Sequence, residues 1–284
     1  MAMNTQSEFR PSPIAGQWYS GDPKTLRSSI GRYLNAPQAP LPAGRVVALV
    51  APHAGHLYSG PVAGYAYRVV SGMTFDLVVI VSPMHQYHPL PLLTSAHIGY
   101  TTPLGTVPID QEAVRQVDAS LKEVLGFGLA PVAYDTEHSL EIQLPFIQCA
   151  LAGPFNLLPI MVRDQRPAVA EALGHALARV LKDRSALLVA STDLSHFYSQ
   201  AEASQLDRTM LDQVAAFSPE GIFAVEAGGT GFACGLAPMA AVLWAARDLG
   251  ANQVQVLRHA TSGDVTGDYS SVVGYGAAAV LKTE

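Results

Sequence analysis

Ionised side chains are scarce in this sequence: Asp, Glu, Lys and Arg make up 14% of its 284 residues, against 49% hydrophobic residues. A chain so poor in charge must bury much of itself, enough for one large α/β domain or two small ones. Basic runs are missing and the formal net charge is −6, which argues against nucleic-acid binding. No apolar stretch reaches the roughly 18–20 residues of a membrane span. The opening segment MAMNTQSEFRPSP has no basic stretch followed by an apolar core, so no signal peptide is read there. Two cysteines, Cys149 and Cys234, make no disulfide framework. A cytoplasmic setting fits these absences best.

What is present alternates. Residues 1–14 read as an irregular arm, with Trp18 and Tyr19 docking it on the body. Asp22 and Pro23 open a helix over Pro23–Leu34, the aspartate as N-cap and the proline at the first helical position. The β-branched run Arg45–Val50 predicts a strand buried on both faces, as do Phe75–Val81 and Ser185–Ser191. Phe155–Val162 reads as a further strand, interrupted by Pro159, a residue that central strands exclude. Helices are expected over Gly60–Val70, Asp110–Leu121, His138–Leu151, Arg166–Lys182, Glu202–Phe217, Pro219–Ala227 and Gly235–Leu249. Late strands are expected over Val254–Ala260 and Ser270–Leu281. Such alternation predicts a parallel or mixed sheet covered by helices on both faces, a three-layer α/β/α arrangement. No repeat or linker divides it, so a single domain over 1–284 is the simpler reading.

Three buried strands each lead into a histidine: Ala-Pro-His53-Ala-Gly, Ser-Pro-Met-His85 and Ser-Thr-Asp193-Leu-Ser-His196. The carboxyl edge of an open α/β sheet is where ligands bind, and several histidines delivered there suggest a metal or acid–base site. Asp193 and His196 can form a carboxylate–histidine pair. His138 and Glu141, three apart, share a helix face and can enter one pocket; Glu141 reads equally well as a first-turn acid. Cys234, in a glycine-rich segment before a helix, can complete a metal site, and a helix N-terminus lowers a thiol pKa. Cys149 reads as a small core residue, and His88, before Pro89, as part of a departing loop. The glycine-rich stretch 228–231 lacks the Lys-Ser/Thr of a phosphate loop.

The segments AGQWYS (15–20), APHAGHLYSG (51–60), SPMH (82–85), EHSLEIQLPF (137–146), STDLSH (191–196) and ACG (233–235) together resemble the Memo-like family, component B of the AmmeMemoRadiSam system. That family is similar in fold to the class III, LigB-type extradiol dioxygenases, which hold non-haem Fe(II) with two histidines and a glutamate. The resemblance implies that His53 and His85 are metal ligands, with Cys234 in the third position. It implies that His196 is an acid–base group with Asp193 beside it, and that His138 and Glu141 complete the pocket wall. Tyr58 and Tyr198 are expected beside the substrate. One departure is Ser82 where the family more often has glycine; the histidine ligand is retained.

The resemblance makes iron the first expectation; a thiolate in place of a carboxylate softens the site, which then also suits copper or zinc. Three functions follow. One is an iron-dependent oxidoreductase or dioxygenase acting on a small aromatic or hydroxylated substrate. Another is a non-catalytic metal-, ligand- or peptide-binding component of a modification pathway, with partners of the AMMECR and radical SAM types. The third is a zinc hydrolase. Fold alone does not choose among them.

Overall fold

The computed structural model describes residues 8–36 and 40–284. The first seven residues of the expected arm lie outside the described residues. In chain order the elements are β1 (Phe9–Arg10), α1 (Pro23–Asn35), β2 (Arg45–Ala51), α2 (His56–Arg68), β3 (Leu77–Pro83), β4 (Leu92–Ser95), β5 (Gly99–Thr102), β6 (Gly105–Pro108), α3 (Gln111–Leu125) and β7 (Ala130–Val132). A 3-10 turn over Glu141–Gln143 leads into α4 (Leu144–Ala150). Then follow β8 (Asn156–Val162), α5 (Pro167–Leu181), β9 (Ala186–Ser191), β10 (His196–Tyr198), α6 (Gln200–Ala215), α7 (Pro219–Ala227), α8 (Leu236–Asp248), β11 (Gln253–Thr261), α9 (Gly263–Thr266) and β12 (Val272–Lys282).

Nine strands form a mixed sheet in the order β10-β12-β2-β9-β3-β8-β4-β7, with β11 paired to β12. Its centre, β2, β9, β3 and β8, is parallel. Alternate residues of these strands feed two cores, because successive side chains of a strand point to opposite faces. On β3, Leu77, Val79 and Val81 pack with α3, α5 and α8, whereas Val78 and Ile80 pack with α1, α2 and α4. The result is the expected three-layer α/β/α arrangement, with the carboxyl ends of β2, β3 and β9 on one edge. No helix of the described residues is long and apolar enough to cross a membrane.

Several boundaries differ from expectation. Residues 8–14 are not wholly irregular: Phe9 and Arg10 pair in parallel with Gly99 and Tyr100 of β5. Helix α2 starts four residues before Gly60, at His56, and tolerates Pro61 within it. No α-helix starts at His138: the chain passes through a turn, with Glu137 accepting the backbone N–H groups of His138 and Ser139 at 3.0 and 2.9 Å, and α4 begins only at Leu144. Strand β8 is internal despite Pro159. The Pro159 carbonyl accepts the Thr94 hydroxyl at 2.8 Å, so the missing N–H faces β4. The ladder there is only two residues long, and no bond to β3 is lost.

Candidate metal centre

The cluster forms where β2, β3 and β9 end. His53 is 1% exposed. Its Nε2 lies 3.1 Å from Cys234 Sγ. The donor atoms of His53, His85 and Cys234 all lie within 4.8 Å of one another, so the three can hold a metal ion. Cys234 reaches the site from the segment before α8. Gln165 fastens that segment to α8, donating Nε2–H to the Cys234 carbonyl at 3.4 Å and accepting the Ala237 N–H at 2.8 Å.

A chain of hydrogen bonds sets the tautomer of His53. The Ser191 hydroxyl donates to the Ser139 carbonyl at 2.6 Å. A carbonyl can only accept, so the single hydroxyl proton is committed there. Ser191 Oγ must therefore accept from its other two neighbours, His53 Nδ1 at 3.1 Å and Gln143 Nε2 at 2.7 Å. Gln143 Nε2 also donates to the Pro52 carbonyl at 3.0 Å, and its Oε1 accepts the Tyr67 hydroxyl at 2.7 Å. The proton of His53 is thus on Nδ1, and Nε2 presents a lone pair toward Cys234.

Glu137 sets His85 in the same way. Its carboxylate accepts from His85 Nδ1 at 2.9 Å and from the His85 N–H at 2.6 Å. Burial opposes ionisation of Glu137, but the bonds from His85 and the Ser139 N–H outweigh it and hold the carboxyl well below its ordinary range. In the neutral imidazole the bond from Nδ1 to Glu137 places the proton on Nδ1 and leaves Nε2 as the lone-pair nitrogen. Both imidazoles therefore carry a partner on the nitrogen away from the ligand position, the arrangement metal-binding histidines use.

Cys234 departs from expectation. Burial, reinforced by Asp193, pushes its thiol well above the ordinary value, outweighing any helix-terminus effect. Burial and the neighbouring His138 and His85 push His53 well below its own. The neutral pair is then S–H donating to Nε2, and that proton is the one released on ligation. Two soft-to-borderline nitrogens and a sulfur fit a transition metal.

The remaining site residues are placed as follows. Asp193 does not pair with His196: its Oδ1 accepts the His53 N–H at 2.7 Å, pinning the loop after β2. Burial raises the Asp193 carboxyl to about 7, against the pull of the His53 and Ala54 N–H groups. His196 donates Nδ1–H to the Leu194 carbonyl at 2.8 Å, leaving its own Nε2 bare. It sits where β10 shifts register against β12, next to Phe197 at φ 66°. A left-handed conformation at a non-glycine residue often marks a functional site. His138 is stacked between His85, at 4.8 Å between ring centroids, and Trp18, at 4.0 Å. Glu141 is turned away from the cluster. It is fully buried against Arg10, Ser12 and Tyr19, so it fastens the N-terminal arm instead.

A cavity of about 530 Å³ opens beside the cluster. Its wall is built by Trp18, which packs on His138, and by Ala54, Gly55 and Phe197, which follow His53 and His196 in the chain. Tyr58 lines this cavity; Tyr198 does not, stacking instead on Phe232 beside a separate cleft.

The Memo-like protein family matches residues 10–279. A MEMO1 family protein of Methanothermobacter thermautotrophicus is 38% identical over 276 residues, covering 94% of this chain and 98% of that protein. The chain belongs to the Memo-like family. MEMO1 family proteins of Nitrosopumilus maritimus and Methanopyrus kandleri are each 34% identical, over 95% and 94% of this chain and 98% and 97% of theirs. In this Memo-like protein the residues that reasoning from sequence passed over are Glu137, Gln143 and Ser191. Each lies inside a segment already singled out, but a hydrogen-bond partner distant in sequence leaves no local signal.

His56, three residues beyond His53, gives this Memo-like protein a predictable acid sensitivity. It is 5% exposed, donates Nε2–H to the Ile142 carbonyl at 3.1 Å and has no partner at Nδ1 among the described residues. Burial lowers it from 6.5 to about 4, the Ile142 bond opposing. Below pH 6.5 the unfolded chain protonates this residue and the folded one does not. Stability therefore falls from pH 6.5 down to about 4 and levels below it. Linkage puts the full loss at about 3 kcal/mol. Urea unfolding across that range should show a steeper decline in wild type than in His56→Gln; parallel curves would contradict the assignment.

Proposed function

We propose that this Memo-like protein binds one divalent transition metal ion through His53, His85 and Cys234, iron first, and acts as an oxidoreductase on a small hydroxylated aromatic. The observation that carries this is the pair of imidazoles, each with Nδ1–H committed and Nε2 bare, converging on one thiol sulfur. When bound, an ion there supplies Lewis acidity and redox chemistry. The protein's own part is positional and acid–base. His196 Nε2, unprotonated and held by the Leu194 carbonyl, is suited to take a proton from a substrate hydroxyl. Trp18 and Tyr58 are suited to stack on a ring and keep water from it.

The thiol supports a second reading, metal or ligand binding without turnover, with copper or zinc in place of iron. The carboxylate of Glu137 is engaged by His85 and backbone N–H groups. With His85 and His138 it forms a two-histidine, one-carboxylate group whose donor atoms lie within 4.8 Å of one another, but its oxygens already accept these bonds, whereas Cys234 offers a thiolate, which favours softer metals.

Elemental mass spectrometry on anaerobically purified protein tests both. Near-stoichiometric metal in wild type, lost in His53→Ala and Cys234→Ala, is the expected result. Iron with oxygen uptake on a phenol or catechol supports the first reading. Copper or zinc without uptake supports the second. No metal in wild type after reconstitution overturns both.

A further inference from the structure

We infer that the cavity beside the histidine cluster selects an aromatic substrate bearing a neutral or cationic side chain and discriminates against a carboxylate. This rests on the proposal that an aromatic substrate binds at the cluster. The cavity wall carries the rings of Trp18, Tyr58, Phe197 and Tyr275, and its one ionised group is Asp268. No lysine, arginine or histidine lines it among the described residues. A ligand carboxylate entering here therefore meets no counter-charge.

Asp268 is set for this role by its own turn. Its Oδ1 accepts the Ser270 N–H at 2.9 Å and the Ser270 hydroxyl at 2.6 Å. These bonds hold the carboxyl below its ordinary range, so it is charged at neutral pH. Oδ2 has no hydrogen-bond partner among the described residues and is free to receive a ligand donor. The aromatic faces add to the preference, since each presents the negative side of its quadrupole to a cation. An ammonium group gains from both; a carboxylate is repelled by both. The substrate class that fits is a phenol or catechol carrying a short aliphatic amine, its ring hydroxyl toward the histidines and its amine toward Asp268.

Calorimetric binding of three near-isosteric probes to the metal-loaded protein at low ionic strength tests this: tyramine, 4-ethylphenol and 4-hydroxyphenylpropionate. Tyramine should bind about tenfold more tightly than the carboxylate, with 4-ethylphenol between them. Asp268→Asn, which keeps an acceptor for Ser270, should shrink that ratio at least about threefold, and Asp268→Lys should invert it. Equal affinities, or a ratio indifferent to Asp268→Asn, would overturn the charge selection while leaving the aromatic site standing if 4-ethylphenol still binds. Failure of all three probes at millimolar concentration would overturn both this inference and the aromatic-substrate proposal.

Discussion

Arg10→Met is expected to destabilise the protein by about 3–5 kcal/mol, the cost of removing one partner from a buried ion cluster. Arg10 is 1% exposed, although only two residues of regular structure surround it. Its Nε and Nη2 form a fork on Asp135, with Nη2–Oδ1 at 2.7 Å, and its Nη1 meets Glu141. Nη2 also donates to the Glu137 carbonyl at 2.8 Å, and the guanidinium lies over the Tyr100 ring. Methionine fills the volume but leaves two carboxylates without their cation. Burial already pushes Glu141 up despite Arg10, so its protonation is the cheapest escape. At roughly 2–4 °C per kcal/mol for a large domain, the melting temperature should fall on the order of 10 °C. Adding Asp135→Asn and Glu141→Gln should recover part of the loss, because the uncompensated charges go with them. A shift below 2 °C for the single variant would show that the cluster contributes little. The variant also loosens the loop segment that carries Glu137 and His138, so metal affinity should fall with stability.

That cluster also marks the limit of what the sequence makes legible. The strands ending at Ala51, Pro83 and Ser191 announce themselves as continuous apolar runs, and helices α1 and α3 by their aspartate caps, Asp22 and Asp110. His53, His85 and Cys234 follow from strand ends and from motif resemblance, and the fold brings their donor atoms together. Arg10 gives no such sign. Its partners Asp135 and Glu141 are 125 and 131 residues away. A short arm with one arginine looks solvated until β1 pairs with β5. Strands β4 to β7 and β10, three or four residues each, are too short to show periodicity. Glu141 was readable as a pocket residue only on a helix from His138. The regular helix begins only at Leu144, after a 3-10 turn over Glu141–Gln143, and Glu141 turns toward the arm. The Asp193–His196 pairing also fails: nearer backbone N–H groups, those of His53 and Ala54, claim the carboxylate first.

Ser191→Ala should weaken metal binding about 10- to 100-fold while leaving all three proposed ligands in place. The argument turns on one proton. With the hydroxyl gone, His53 Nδ1–H and Gln143 Nε2–H both lose an acceptor in a site sealed from water. Leaving such donors unpaired costs about 1–3 kcal/mol each. The imidazole can relieve its share by moving the proton to Nε2, which turns the ligand nitrogen into a donor and must be undone before coordination. Ser191→Thr keeps the hydroxyl and should restore affinity, a rescue that a purely steric role would not give. Glu137→Gln should act in parallel on His85, removing the charge that anchors Nδ1–H, with a loss of similar size. Chelator competition gives the affinities. Nitrogen-15 shifts of the His53 ring in the metal-free protein report the tautomer directly. Wild type should show protonated Nδ1 and bare Nε2; Ser191→Ala should show a mixture. Unchanged affinity together with an unchanged tautomer would mean that the loop after β2, pinned by Asp193, orients His53 without Ser191.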